Sequence, residues 1–200
     1  MFTGIIQEMG KVTGLERRSG DLVLTLEAPL TCASLEIGGS VAVNGCCLTA
    51  VKIEKPRFTV EAVPETLSRT DFKALAMGSR VNLELPVRLS DLLGGHLVSG
   101  HVDGLGEVSS IREEGGGQRW SVRLPKDLLK YVVEKGSVAL DGISLTVASL
   151  AGDSIEVALI PHTLEATNLS QKRAGSKLHV EADLVAKHIE RLTQAYAGKA

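Results

Sequence analysis

Gly39-Ser40-Val41-Ala42-Val43-Asn44-Gly45 and Gly136-Ser137-Val138-Ala139-Leu140-Asp141-Gly142 are one seven-residue phrase written twice, 97 residues apart. In each, an apolar β-branched run meets Asn-Gly or Asp-Gly, and a second apolar run follows from Cys46 or Ile143. Such dipeptides tolerate φ > 0 at both central positions, so each phrase predicts a tight β-hairpin. The same shift carries Leu48-Thr49 to Leu145-Thr146, and Pro64, Thr66 and Leu67 to Pro161, Thr163 and Leu164. It also carries Thr70, Gly78, Ser79 and Glu84 to Thr167, Gly175, Ser176 and Glu181, while Gly4, Gly10 and Val12 meet Gly100, Gly106 and Val108 at a shift of 96. A period near half the chain is too long for a solenoid unit, so two copies of one domain are expected, at 1–95 and 96–185.

Further strands are expected at Leu22–Leu26, Phe58–Ala62, Arg80–Leu85, Trp120–Leu124, Ser154–Ile160 and Lys177–Glu181. Short helical stretches are expected at Phe72–Met77 and Lys126–Val133, with Pro64-Glu65-Thr66-Leu67 and Pro161-His162-Thr163-Leu164 as loops. About six short strands per half predict a small closed barrel, which leaves few free edges. At the C-terminus Val185, Ile189, Leu192 and Tyr196 step by 4, 3 and 4, one apolar stripe on a helix. That stripe fits either a helix lying on its own barrel or a seam between subunits.

Composition removes several function classes. The chain has 200 residues, with 22 Lys and Arg against 24 Asp and Glu, so nothing marks it for nucleic acid. A hydrophobic fraction of 44% with 23% charged residues is globular. Apolar runs such as Leu48-Thr49-Ala50-Val51 are far too short to span a membrane, and Met1-Phe2-Thr3-Gly4 does not open a signal peptide, so a cytoplasmic location is expected. Three cysteines, two of them adjacent at Cys46 and Cys47, fit neither a disulfide scaffold nor a zinc module. Gly104-Leu105-Gly106 is only half a dinucleotide fingerprint, and Ser99-Gly100-His101 is not a nucleophile elbow. His96 and His101 differ by an odd number and would face opposite sides of a strand, so no shared metal is expected; His179 and His188 read as surface or helix residues.

Two copies imply two similar ligands, or one ligand and a fossil site. Polar candidates survive in both. Cys47 and Thr49 share one face of their strand with Leu48 on the other, and Ser144, Thr146 and Leu145 repeat the arrangement. Other positions diverge: Ile5 becomes His101, Gly38 becomes Lys135, Asn44 becomes Asp141, Glu65 becomes His162, and Pro86 becomes Asp183. Two pockets of one shape with unequal equipment would hold two like molecules and treat them differently. With aromatics at 3%, a planar ligand cannot rely on aromatic stacking.

Met1-Phe2-Thr3-Gly4-Ile5, Asn44-Gly45-Cys46-Cys47-Leu48-Thr49, Gly94-Gly95-His96-Leu97-Val98-Ser99-Gly100-His101 and Asp141-Gly142-Ile143-Ser144-Leu145-Thr146-Val147 resemble the riboflavin synthase family. Glu65-Thr66-Leu67 and Ile160-Pro161-His162-Thr163-Leu164-Glu165 do too, and the likeness runs the length of the chain. It implies an all-β fold of two tandem six-stranded Greek-key barrels and a C-terminal helix, 186–200, joining three chains into a homotrimer. The implied reaction is a dismutation in which two 6,7-dimethyl-8-ribityllumazine molecules exchange a four-carbon unit, giving riboflavin and 5-amino-6-ribitylaminouracil. It requires no metal or redox cofactor. Each active site would hold two lumazines between the N-terminal barrel of one chain and the C-terminal barrel of its neighbour, and association with lumazine synthase is a possible further contact.

Carried onto this sequence, the resemblance gives the N-terminal pocket Gly4, Ile5, Ile6, Cys47, Leu48, Thr49 and Glu61-Ala62-Val63-Pro64-Glu65-Thr66. The C-terminal pocket receives Gly100, His101, Val102, Lys135, Ser144, Leu145, Thr146 and Ile160-Pro161-His162-Thr163-Leu164-Glu165. His101 and Cys47 are the first catalytic candidates, with Ser144 and Asp183 next. His162 departs from relatives that carry Glu there. Non-catalytic lumazine- and flavin-binding proteins of the same duplicated fold are the alternative, and retention of Cys47, His101 and Ser144 favours the enzyme.

Overall fold

The computed structural model describes the backbone of residues 1–197 and side chains through residue 194. Twelve strands make two closed antiparallel barrels. The first barrel holds β1 (Glu8–Arg18), β2 (Asp21–Glu27), β3 (Ser40–Val43), β4 (Cys46–Glu54), β5 (Arg57–Ala62) and β6 (Arg80–Glu84), in the order β1-β2-β5-β4-β3-β6. The second holds β7 (Gly104–Glu114), β8 (Gly117–Arg123), β9 (Ser137–Leu140), β10 (Ile143–Ala151), β11 (Ser154–Leu159) and β12 (Lys177–Ala182) with the same Greek-key connectivity. Short helices α1 (Pro29–Ser34), α2 (Pro64–Arg69) and α3 (Pro161–Ala166) punctuate the strands, and α4 (Leu184–Ala197) closes the chain.

Alternation builds each core. Leu22, Leu24 and Leu26 on β2 and Phe58, Val60 and Ala62 on β5 point inward; Trp120 and Val122 on β8 face Ile155 and Val157 on β11. Each such side chain contributes roughly 1.5–3 kcal/mol on burial. Bulges fall at matching points, between Val12 and Gly14 on β1 and between Val108 and Ser110 on β7. Another pair lies between Ala50 and Lys52 on β4 and between Val147 and Ser149 on β10. The extra residue bends the strand and increases its twist, which lets so few strands close.

Both predicted hairpins form, with Asn44 and Asp141 each at φ 45° and Gly45 and Gly142 at 77° and 80°. The glycines serve a second purpose. The two turns lie back to back, and a Cβ on Gly45 would sit 2.6 Å from the Gly142 nitrogen. Around this contact a buried polar network joins the barrels. Asn44 Oδ1 accepts the Asn82 N–H at 2.7 Å, and Asp141 Oδ1 accepts the His179 N–H at 2.7 Å. Asn168 Nδ2 donates to Asp141 Oδ2, which also pairs with Lys172 at 3.0 Å.

Three local expectations need correction. Pro64-Glu65-Thr66-Leu67 and Pro161-His162-Thr163-Leu164 open α2 and α3 instead of looping, because proline's fixed φ suits a first helical position. The helical stretches expected near 72–77 and 126–133 shrink to single 3₁₀ turns, Phe72–Ala74 and Leu129–Tyr131. His179 is neither on the surface nor on a helix: it lies on β12, 1% exposed, with its ring edge-on to Phe72. His188 does lie on α4, exposed. That helix begins at Leu184 and leaves Val185, Ile189 and Leu192 exposed at 53%, 55% and 63%; the Tyr196 side chain and residues 198–200 lie outside the described residues. No helix among the described residues is long and apolar enough to cross a membrane.

Candidate functional site

Two straps determine the pockets. In the first, residues 1–7, Glu84 on β6 accepts the Thr3 N–H and hydroxyl, both at 2.7 Å, and the Gly4 N–H at 3.0 Å. The Gly4 carbonyl then accepts the N–H of Ser144, which belongs to the other barrel, at 2.8 Å. In the second, residues 97–103, Glu181 on β12 accepts the Ser99 N–H and hydroxyl and the Gly100 N–H, while the Gly100 carbonyl accepts the Cys47 N–H at 2.8 Å. The straps bridge each other through Phe2 and Val98. Both glycines adopt φ near 80° and leave no room for a side chain: a Cβ on Gly100 would sit 2.5 Å from that of Cys47.

This exchange overturns the expected grouping. Gly4, Ile5 and Ile6 do not join Cys47: the Gly4 carbonyl meets Ser144, and Ile6 packs on the second barrel's core. Gly100, His101 and Val102 line the first barrel's pocket, with Val102 packed on that core. The second strap supplies a wall of the N-terminal pocket, and the first strap holds Ser144 of the C-terminal pocket through its backbone N–H.

The N-terminal pocket, about 380 Å³, is lined by Cys47, Thr66 and Glu65 from the first half and by Gly100, His101 and Val102 from the second strap. Arg69, Thr70 and Asp103, which were not expected, also line it. Leu48 and Ala62 instead belong to the core behind the wall. Cys47 is half-exposed, whereas its neighbour Cys46 is buried and its thiol is pushed up to about 12 by that burial.

The C-terminal pocket, about 450 Å³, is lined by Lys135, Ser144, Leu145, Thr146, Ile160 and Thr163, joined by Arg119, Ala148 and Ala158. Both volumes suit a small organic ligand. His162 and Glu165 are exposed on α3 and do not line it. Ser144 Oγ lies 2.7 Å from Nδ1 of His96, which the sequence reading weighed only against a shared metal and did not count among the site residues. His96 is buried, its Nε2 has no partner, and burial holds its pKa below the ordinary value despite the opposing charge of Asp183. A neutral imidazole beside a serine hydroxyl is equipped to take a proton. Asp183 itself faces a different groove, against α4, where its Oδ1 accepts the Val185 N–H at 2.8 Å. Among the described residues no three His, Cys, Asp or Glu side chains assemble a metal site.

A lumazine binding domain model matches the chain twice, over residues 3–86 and 99–183. Riboflavin synthase of Mycobacterium tuberculosis H37Rv is 44% identical, with 98% of this chain and 99% of that one aligned. The Actinobacillus pleuropneumoniae and Bacillus subtilis riboflavin synthases are 40% and 39% identical over 95% and 96% of this chain and 88% and 89% of theirs. The chain belongs to the riboflavin synthase family. Among solved structures, LumP complexed with riboflavin superposes with a TM-score of 0.85 at 27% identity, and LumP complexed with 6,7-dimethyl-8-(1'-D-ribityl) lumazine with 0.83 at 27%. Each covers 91% of this chain and 99% of the LumP chain. The duplicated barrel is thus common to riboflavin synthases and LumP, and the higher full-length identity lies with the riboflavin synthases.

Proposed function

We propose that this chain catalyses the dismutation of two 6,7-dimethyl-8-ribityllumazine molecules to riboflavin and 5-amino-6-ribitylaminouracil. The observation that carries the reading is one pocket in each half with unlike groups at an equivalent position, Cys47 against Ser144, beside the matched pair Thr66 and Thr163. Two rings of one kind are held alike and made to play different parts.

Orientation supplies much of the acceleration, since fixing two reactants in register removes about 7–11 kcal/mol of barrier. The walls doing so are backbone amides and aliphatic side chains, with Thr66, Thr146 and Thr163 placed for ribityl hydroxyls. Proton transfer falls to Ser144 with His96 behind it, and to His101 in the N-terminal pocket. Cys47, which lines the N-terminal pocket, is the nucleophile candidate in this reading, and Asp183 acts on His96 through its charge.

The working enzyme in this reading is a cytoplasmic homotrimer in which the N-terminal pocket of one chain faces the C-terminal pocket of the next, with lumazine synthase as a further associate. The exposed Val185, Ile189 and Leu192 on α4 support a helix that packs against other copies. A chain ending at Asp183 should sediment as a monomer with greatly reduced turnover; full specific activity as a monomer would break the shared-site reading. The primary test incubates the full-length chain and the lumazine with EDTA and follows riboflavin fluorescence. Product formation supports the enzyme; tight binding of lumazine without product makes the chain a carrier instead.

A further inference from the structure

Duplication supplies a control for the end of the second strap. Asp103 stands where the first half has Gln7, and both residues serve the same backbone bond. Gln7 Oε1 accepts the Leu85 N–H at 2.9 Å, and Asp103 Oδ2 accepts the Ala182 N–H at 2.8 Å. A neutral amide suffices for that bond, so it does not account for the charge of Asp103. The carboxylate has a second partner. Lys187 Nζ on α4 lies 2.6 Å from the same Oδ2, and both side chains are only 22% exposed. The residue matching Lys187 in the first half is Ser90, so the acid and its lysine occur together in one half and are both replaced in the other. Lys187 is also the fourth residue of α4, near the helix end whose dipole disfavours a cation, and the first turn itself carries no acid to offset it.

Asp103 lines the N-terminal pocket beside His101 and Val102. Its carbonyl accepts from Arg69 Nη1 at 3.4 Å, and Arg69 Nε pairs with Glu65 on α2 at 3.3 Å. Arg69 and Glu65 line the same pocket. A line of alternating charge therefore runs from the C-terminal helix, across the second strap, to the α2 rim of the first barrel. The same helix is tied to the second barrel by Glu190, which pairs with Lys130. Through these two lysine–carboxylate pairs α4 touches both the barrel it follows and the pocket of the other one.

We propose that Lys187 is a positioning residue for the N-terminal pocket: by holding the Asp103 carboxylate it keeps the second strap and the Arg69–Glu65 pair in place, and it makes that pocket's grip on its ligand depend on the seating of α4. Lumazine as the ligand rests on the riboflavin synthase reading; the contact itself does not. Without Lys187 the Asp103 carboxylate keeps the Ala182 N–H but loses its counter-ion. It then competes with Glu65 for the guanidinium already at its own carbonyl, and Arg69 is drawn away from α2 toward the strap.

The test is alkylation of Cys47 by iodoacetamide in the full-length protein, alone and with increasing 6,7-dimethyl-8-ribityllumazine. Cys32 and Cys46 are buried, so the lumazine concentration that halves Cys47 labelling measures the N-terminal pocket by itself. In Lys187→Met that concentration should rise about tenfold, the low end for removing one partner of a charged hydrogen bond, because both groups are partly open to water. Lys187→Arg keeps the charge and should stay within about threefold of the parent. Asp103→Gln copies Gln7 and retains an acceptor for Ala182; in that background Lys187→Met should shift protection by less than about twofold. Parent-like protection in Lys187→Met overturns the proposal. So does a tenfold loss that persists in the Asp103→Gln background, which would make the lysine act through the packing of α4 alone. If lumazine leaves Cys47 of the parent unprotected, the riboflavin synthase reading fails, and the coupling is judged by the labelling rate without ligand. Lys187→Met should raise that rate about threefold or more, only while Asp103 is present, and an unchanged rate overturns the coupling.

Discussion

Glu84→Gln and Glu181→Gln test the strap exchange, because each carboxylate lies in one barrel and shapes the pocket of the other. Glu84 Oε1 accepts two bonds from Thr3, and Oε2 accepts the Gly4 N–H. Glutamine keeps one oxygen but turns an NH₂ toward a backbone N–H, so one charge-assisted bond, worth roughly 1.5–3 kcal/mol, is replaced by two opposed donors. Burial pushes the Glu84 carboxyl above its ordinary pKa, and the neutral amide escapes that cost. The net loss should be about 1–2 kcal/mol, well inside the roughly 5–15 kcal/mol of a folded domain, so the barrels persist while the strap opens more often. A 2 kcal/mol bias corresponds to about 30-fold more opening, the upper limit for faster labelling behind the strap.

Thiol alkylation at mildly alkaline pH reads the two straps separately. Cys32 and Cys46 are buried with thiols pushed upward by that burial, so half-exposed Cys47 reports on the N-terminal pocket. A Ser144→Cys background reports on the C-terminal pocket. Glu181→Gln should accelerate labelling at Cys47 only, and Glu84→Gln only at the thiol introduced by Ser144→Cys. Glu84→Gln that exposes Cys47 and leaves the other thiol unchanged would refute the exchange.

Other expectations follow from single contacts. His179 is held above the ordinary imidazole pKa: burial opposes its charge, but the Asp71 hydrogen bond and the Asp141 charge outweigh that, while Asp71 is held below the ordinary carboxyl value, its burial outweighed by His179. The His179 contribution is complete below the ordinary imidazole value of 6.5 and is lost as pH rises through the raised folded value; that of Asp71 is present above the ordinary 3.8 and is lost as pH falls through the lowered one. Urea midpoints should therefore decline above pH 6.5, and His179→Asn, copying Asn82, should flatten that decline; an unchanged slope would remove the pair from the account. Gly45→Ala meets the Gly142 nitrogen at 2.6 Å from a left-handed position, and should cost about 2–5 kcal/mol by denaturant unfolding; a loss below about 1 kcal/mol would mean that the turns are not packed together. Ser144→Ala and His96→Gln should each lower kcat about 10²–10⁴-fold with little change in KM, and parent-like steady-state rates in both would exclude the relay.

What was legible in the sequence is local or periodic. The hairpins were fixed by two dipeptides whose φ requirements are specific, and the inward face of β2 and β5 followed from alternation at every second residue. The six-residue helices α2 and α3 are too short to show a 3.6-residue period, so Pro64 and Pro161 read as turn residues. His179 was misplaced because its burial depends on Asp71, over 100 residues away, and a strand pattern does not say which polar residue a distant carboxylate will satisfy. The pocket memberships of Ile6 and Val102 failed for the same reason: the straps cross between halves, and spacing along the chain carries no record of a crossing. One signal was available. Glu84 and Glu181 match in register, as do Thr3 and Ser99, and an acid buried on a strand in both copies needs donors in both.

The exchange bears on how a duplicated chain sustains two different pockets. If each barrel built its pocket alone, a change in one half would alter one pocket, and the halves could drift until one became a fossil. Here the N-terminal pocket takes Cys47 from its own barrel and His101 from the other half's strap; the C-terminal pocket takes Ser144 from its own barrel, held by the Gly4 carbonyl of the first strap. The glycines at the crossing points cannot accept a Cβ, and the two carboxylates must keep their donors, so this frame resists change in both halves at once. Divergence is confined to side chains that project from a fixed frame, as in Cys47 against Ser144, Ile5 against His101 and Gly38 against Lys135. In the proposed reaction, unlike groups such as Cys47 and Ser144 would serve the unlike roles of the two rings. A shared frame with unshared side chains therefore lets a single chain hold identical substrates in different chemical states.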